Sequence, residues 1–172
     1  MSEDLTRPRQ GATTPSETSQ RPTKDDAELL IRLYAVAQEE HVYHAFLWYY
    51  EHFGDLTDPK EFDYEAYIRQ NRRGSEGYAK WTPIASFFET LGVLVRHGAI
   101  NEALVLDRWP VDWYWRYLEP FVQNDREAGM KCDTAWYADN FEWLAQRAAE
   151  WQKSGKGQAK WESGRTTNRR GY

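Results

Sequence analysis

The sequence predicts an all-α protein: a single helical bundle of about five to six helices flanked by disordered N- and C-terminal tails. Three observations lead there. Nine Trp, eleven Tyr and seven Phe gather mostly in the central part of the chain, set at the three- and four-residue steps that place side chains on one helix face. No stretch shows the two-residue alternation of a strand, and no internal repeat is present. Proline and glycine stand where helices start and stop. The organisation that follows is residues 1–23 as a disordered segment, 24–152 as the bundle and 153–172 as a disordered basic tail.

The first segment holds Pro8, Pro15 and Pro22 among Thr, Ser, Gln and Arg, too little apolar surface to offset the entropy of ordering. A first helix is expected from Asp25-Asp26, acids suited to a helix N-terminus, to Phe53 before Gly54. Leu30, Leu33, Tyr34, Ala37, His41, His44, Ala45 and Trp48 form its inward stripe. At ~28 residues it would be ~40 Å long. Asp58-Pro59 then suits an N-cap with proline at the first helical position, opening a short helix through Phe62, Ala66 and Tyr67 to Asn71. The run from Arg72 to Gly77, with two glycines, reads as a loop.

The next helix takes Thr82 as cap and Pro83 as first residue, buries Ile84, Phe87, Phe88, Leu91, Leu94 and Val95, and stops at His97-Gly98. Asn101 caps a brief helix ending near Trp109. Pro110 opens another, with Val111, Tyr114, Tyr117, Leu118, Phe121 and Val122 on one stripe, a kink at Pro120 and an end at Gly129. Asp133 or Thr134 caps the last helix, whose Tyr137, Phe141, Leu144, Ala145 and Ala148 face inward up to Trp151.

The net charge of −5 is unevenly spread. Lys153, Lys156, Lys160, Arg165, Arg169 and Arg170 face only Glu162 in the tail, so the bundle itself is strongly acidic. Its surface would repel phosphate backbones, and contact with a nucleic acid or another polyanion belongs to those six tail cations alone. The single cysteine, Cys132, forms no intramolecular disulfide. With no apolar leader after Met1 and no run of ~18 apolar residues, a cytoplasmic chain without a membrane span is expected. No nucleotide loop, cysteine cluster or nucleophile elbow is present, so no catalytic residue and no cofactor is assigned.

Glu40, His41 and His44 are the candidate metal-ligating residues. Glu40 and His44 lie one turn apart, and the expected stripe turns both histidines inward. The Glu-x-x-His spacing of di-iron bundles is absent, since His41 precedes His44 by three and Gln38 precedes His41 by three. Ordinary hydrogen bonding of a His-lined face is the simpler reading. Glu89 stands beside the apolar stripe and needs a partner, for which Arg126, Arg116, Arg96 or a tyrosine hydroxyl would serve. The segment Trp109 to Tyr117 has aromatics on more than one helix face. Trp109, Trp113, Trp115 and Tyr117 are therefore candidates for a protein or homo-oligomer interface, or else their helix is central and covered on both sides.

Phe88-Glu89-Thr90-Leu91-Gly92-Val93-Leu94-Val95, Gly98-Ala99-Ile100, Trp115, Leu118-Glu119-Pro120-Phe121-Val122 with Arg126, Trp136-Tyr137 and Phe141-Glu142-Trp143-Leu144 resemble a bacterial family of all-helical domains of unknown function. Some of its members carry an N-terminal membrane anchor. The resemblance spans about residues 81–144 and implies a small helical bundle in which Glu89 and Arg126 are partners. This chain has a polar segment where the anchor would be. The leading functional reading is a non-enzymatic interaction or self-association module. The alternatives are a metal- or small-ligand-binding bundle through Glu40, His41 and His44, and a nucleic-acid accessory protein acting through its tail.

Overall fold

The first described helix starts at a side-chain cap. In the computed structural model, which describes residues 21–129 and 137–155, the Thr23 hydroxyl accepts from the Asp26 amide at 3.1 Å and the Asp26 carboxylate accepts from the Thr23 amide at 2.8 Å. This capping box heads α1, Lys24–Ala37. The second Asp26 oxygen accepts the backbone N–H of Asn101 at 2.7 Å, tying α1 to a turn far along the chain.

The single long helix expected up to Phe53 is instead two. Gln38 and Glu39 donate to the carbonyls of Ala35 and Val36, both at 3.0 Å, a tightened last turn. Glu39 is then extended at ψ 141° before α2, Glu40–Phe53. The break shifts the helical phase: the buried set passes from Leu33 and Ala37 to Val42, Ala45, Trp48, Tyr49 and Phe53. His41 and His44, expected on the inward stripe, are exposed.

The short helix expected from Asp58 also divides. Asp58 and Glu61 form a capping box around a 3-10 turn, Pro59–Glu61, and Asp63 caps α3, Tyr64–Gln70. The next helix starts seven residues before the expected Thr82 cap. Ser75 accepts from the Tyr78 amide at the head of α4, Glu76–Arg96, so Pro83 lies inside it. Gly77, expected in a loop, lies in this helix; a Cβ there would overlap the Asn71 side chain, and its carbonyl accepts from the Tyr67 hydroxyl at 3.0 Å. Then come α5, Glu102–Arg108, capped by Asn101 as expected, and α6, Val111–Gly129, an unbroken helix through Pro120. The last, α7, is Asp139–Lys153. The candidate caps Asp133 and Thr134, Cys132, and both tails apart from residues 21–23 and 153–155 lie outside the described residues.

The fold is thus seven α-helices without a strand among the described residues, and no described helix is long and apolar enough to cross a membrane. The central helix is α4, which packs α2 on one side and α7 on another; α6 packs on α7, and α1 lies mainly on α5. Phe88, Leu91 and Ile84 of α4 are fully buried beside Phe141 and Leu144 of α7. The Phe88 and Phe141 rings stack at 5.1 Å and 20°, a geometry favourable beyond the area it buries. One turn on, Gly92 lets the α7 backbone approach so closely that a Cβ would overlap the Asn140 carbonyl.

Replacing Gly92 with alanine must push the two helices apart. The expected cost is about 1–3 kcal/mol, read as a lower urea midpoint with an unchanged slope; an unaltered midpoint would show that the contact is not tight. Burial holds the hydroxyls of Tyr49, Tyr64, Tyr114 and Tyr137 above the ordinary tyrosine value. The unfolded chain ionises near pH ~10 while the folded one keeps these protons, so the stability they contribute is complete below that pH and lost above it. In an alkaline titration, tyrosinate absorbance from these groups is expected only together with loss of the helical circular dichroism signal. Their ionisation with helicity intact would contradict the buried arrangement.

Candidate functional site

The aromatic run on α6 is central. On one side, Tyr49 of α2 donates its hydroxyl to the Trp113 carbonyl at 2.9 Å and packs on the Trp113 ring at 4.9 Å. Tyr117 donates to the Leu56 carbonyl at 2.7 Å, and Tyr64 of α3 to the Tyr117 carbonyl at 3.0 Å. On the other side, Trp115 meets Phe141 of α7 edge-on at 5.0 Å, with the Arg126 guanidinium over its face. Trp109 is buried against Phe87. Of the four aromatic interface candidates, Trp109 and Tyr117 are buried inside their own chain, and Trp113 and Trp115 are half-buried. α2 and α3 on one side and α7 on the other cover α6, which accounts for apolar side chains around more than one of its faces.

Trp113 nevertheless reaches the surface through a neighbour. The Tyr50 ring stacks on it at 5.8 Å and 30°, and the Tyr50 and Tyr114 hydroxyls bond at 2.6 Å. Tyr50 is itself 49% exposed and continues a row on the outer face of α2 with Leu47 at 45% and Tyr43 at 44%. Residues 43, 47 and 50 are spaced to lie on one stripe. Ile31, Tyr34 and Val36 on α1 are exposed as well. Sequence reasoning missed this surface, because a continuous helix from Asp25 to Phe53 put the stripe in another phase. The signal available was the excess of apolar positions on α2 over what one buried face needs.

Glu40, His41 and His44 are all exposed, and no group of three or more His, Cys, Asp or Glu side chains able to hold a metal comes together among the described residues. The third histidine of α2 packs within the bundle: His52 is half-buried with its Nδ1 at 2.9 Å from the Trp48 carbonyl.

Glu89 and Arg126 do not pair with each other. Both hold the start of α7, from different sides. Glu89 accepts from the backbone amides of Asn140 and Phe141, each at 2.9 Å, and from Asn140 Nδ2 at 2.6 Å. Arg126 donates to the Tyr137 carbonyl, to Asp139 at 2.9 Å and to Glu142 at 2.6 Å. A carboxylate on exposed helix N-terminal amides satisfies the donors that a helix cannot satisfy itself. Of the tail cations, Lys153 ends α7 and is exposed; Lys156, Lys160, Arg165, Arg169 and Arg170 lie outside the described residues.

Among known proteins, a family model described as a domain of unknown function, DUF4760, matches residues 22–148. No curated protein and no solved structure matches the chain. The match runs from the cap of α1 into the last turns of α7 and so includes the aromatic interior and the contact of Glu89 and Gly92 with α7. On that match the chain belongs to the DUF4760 family of domains of unknown function.

Proposed function

We propose that residues 24–152 form one non-enzymatic interaction domain that self-associates through the outer stripe of α2, Tyr43, Leu47 and Tyr50, with Trp113 at its end. The observation that carries this reading is the gathering of exposed large apolar side chains on α1 and α2, against Val93 alone on the other described helices. Tyrosine and tryptophan supply much contact area for little lost side-chain freedom, which suits an interface.

A second copy is the partner that the stripe fits. Tyr43 and Tyr50 flank Leu47 almost symmetrically, so a twofold axis through Leu47 sets two α2 helices antiparallel with each tyrosine over the other copy's tyrosine. His44 and Glu51, both exposed, lie on the same side of the stripe. The same axis brings Glu51 opposite the partner's His44, a complementary pairing at the rim. Because α2 packs along α4, the stripe is held on a rigid backing.

Size-exclusion chromatography with light scattering on the full chain tests this. A dimer is expected in the micromolar range, with Leu47→Glu a monomer of unchanged helicity. A monomeric wild-type chain, or a dimer indifferent to Leu47→Glu, would contradict the reading.

A further inference from the structure

A cleft separates the end of α3 and the α3–α4 loop from the C-terminal half of α6. Its volume is about 340 Å³, within the range of small-ligand sites. Tyr67, Ile68 and Ala128 give it an apolar wall; Arg69, Arg72 and Arg73 stand around it, and Tyr78 and Asp125 close the floor.

The charge balance is unusual for an acidic bundle. Asp125 is buried at 4% exposure and accepts the Tyr78 hydroxyl proton in a short hydrogen bond. Arg73 lies close enough to favour the charged form of the Tyr78 hydroxyl, so a positive charge stands on the other side of the phenol from the buried Asp125 carboxylate. Arg69 and Arg72 are both exposed, and neither guanidinium has an ion pair among the described residues. Glu76, four residues after Arg72, is engaged by Lys80 at 3.1 Å, and Glu65, four residues before Arg69 on α3, is exposed. Two guanidinium charges therefore border one small cleft, and neither is ion-paired among the described residues. A guanidinium offers only donors, in a planar fork that matches carboxylate and phosphate oxygens.

We propose that this cleft binds a small phosphate monoester, its dianionic group held by Arg69 and Arg72 and its organic body against Tyr67, Ile68 and Ala128. Two unmatched positive charges call for a dianion. The volume suits a small molecule rather than a folded partner, and the wall gives the ligand body an apolar contact that free phosphate would not use. Arg73, Tyr78 and Asp125 are positioning residues that fix the floor and keep the cleft open. The site lies apart from the α2 stripe and does not depend on self-association.

Phenyl phosphate is the probe, titrated into the full chain and followed by calorimetry and by amide chemical shifts. Saturable binding is expected, with shifts centred on Ile68, Arg72 and Tyr78, and roughly tenfold weaker affinity in Arg69→Gln/Arg72→Gln. Both arginines are exposed, so the double variant should keep the helicity of the wild type, which circular dichroism checks. Phenyl sulfate, with the same ring and one charge, is expected to bind several-fold more weakly. Absence of saturable binding, equal affinity in the double variant, or equal affinity for the sulfate would overturn the proposal.

Discussion

The start of α7 cannot cap itself, and the bundle is organised around that fact. Ala138 precedes it in a left-handed conformation at φ 62° with no side-chain hydrogen bond to the helix, so the first amides of α7 need an acceptor from elsewhere. Glu89 supplies it from α4, next to the stacked Phe88–Phe141 rings and one turn before Gly92. Arg126 grips the same helix start from α6 through Tyr137, Asp139 and Glu142. Two long helices are thereby fixed to a third at one point. The run Phe88-Glu89-Thr90-Leu91-Gly92 is a docking device: an aromatic stack, a carboxylate cap, a buried leucine and a gap for a backbone.

With α7 held against α4 and α6, the aromatic layer between α2 and α6 has fixed walls on both sides. Tyr49, Tyr114 and Tyr117 are buried there, and the hydroxyls of Tyr49 and Tyr117 each donate to a backbone carbonyl. Buried polar groups kept in this way cost little, whereas the same groups without partners would each cost about 1–3 kcal/mol. The chain can therefore afford an interior rich in tyrosine, and the phenols register α2 on α6 as well as filling space. That rigid backing also leaves the outer tyrosines of α2 presented rather than collapsed.

Much of the fold was legible because helical spacing reports which residues share a face. Ile84, Phe87, Phe88, Leu91 and Val95 on α4, all six stripe residues of α6, and Phe141, Leu144, Ala145 and Ala148 on α7 are buried where the periodicity put them. Spacing does not report what a face meets. The break at Gln38–Glu39 carries no proline or glycine to announce it, and after it α2 packs along α4 while α1 lies on α5 and α2. Gly77 looked like a turn because its real constraint is the Asn71 side chain lying against it. Glu89 was legible as a carboxylate in need of a partner. That the partner is a helix start depends on the approach of α7, which only the folded chain defines. The arginine-bordered cleft was read as a plain loop for the same reason: its other wall comes from α6.

The functional consequence is a separation of roles. The run Phe88 to Gly92 with Arg126 holds the architecture, while the exposed α2 stripe and the α3–α6 cleft are surfaces that the architecture presents. The carboxylate cap on α7 is tested most directly by amide hydrogen exchange at Asn140 and Phe141 in the wild type and in Glu89→Gln. If Glu89 holds the helix start, protection at those two amides falls by roughly ten- to a hundredfold in the variant, corresponding to about 1.4–2.8 kcal/mol, while the middle of α2 stays protected. Unchanged protection at Asn140 and Phe141 would contradict it.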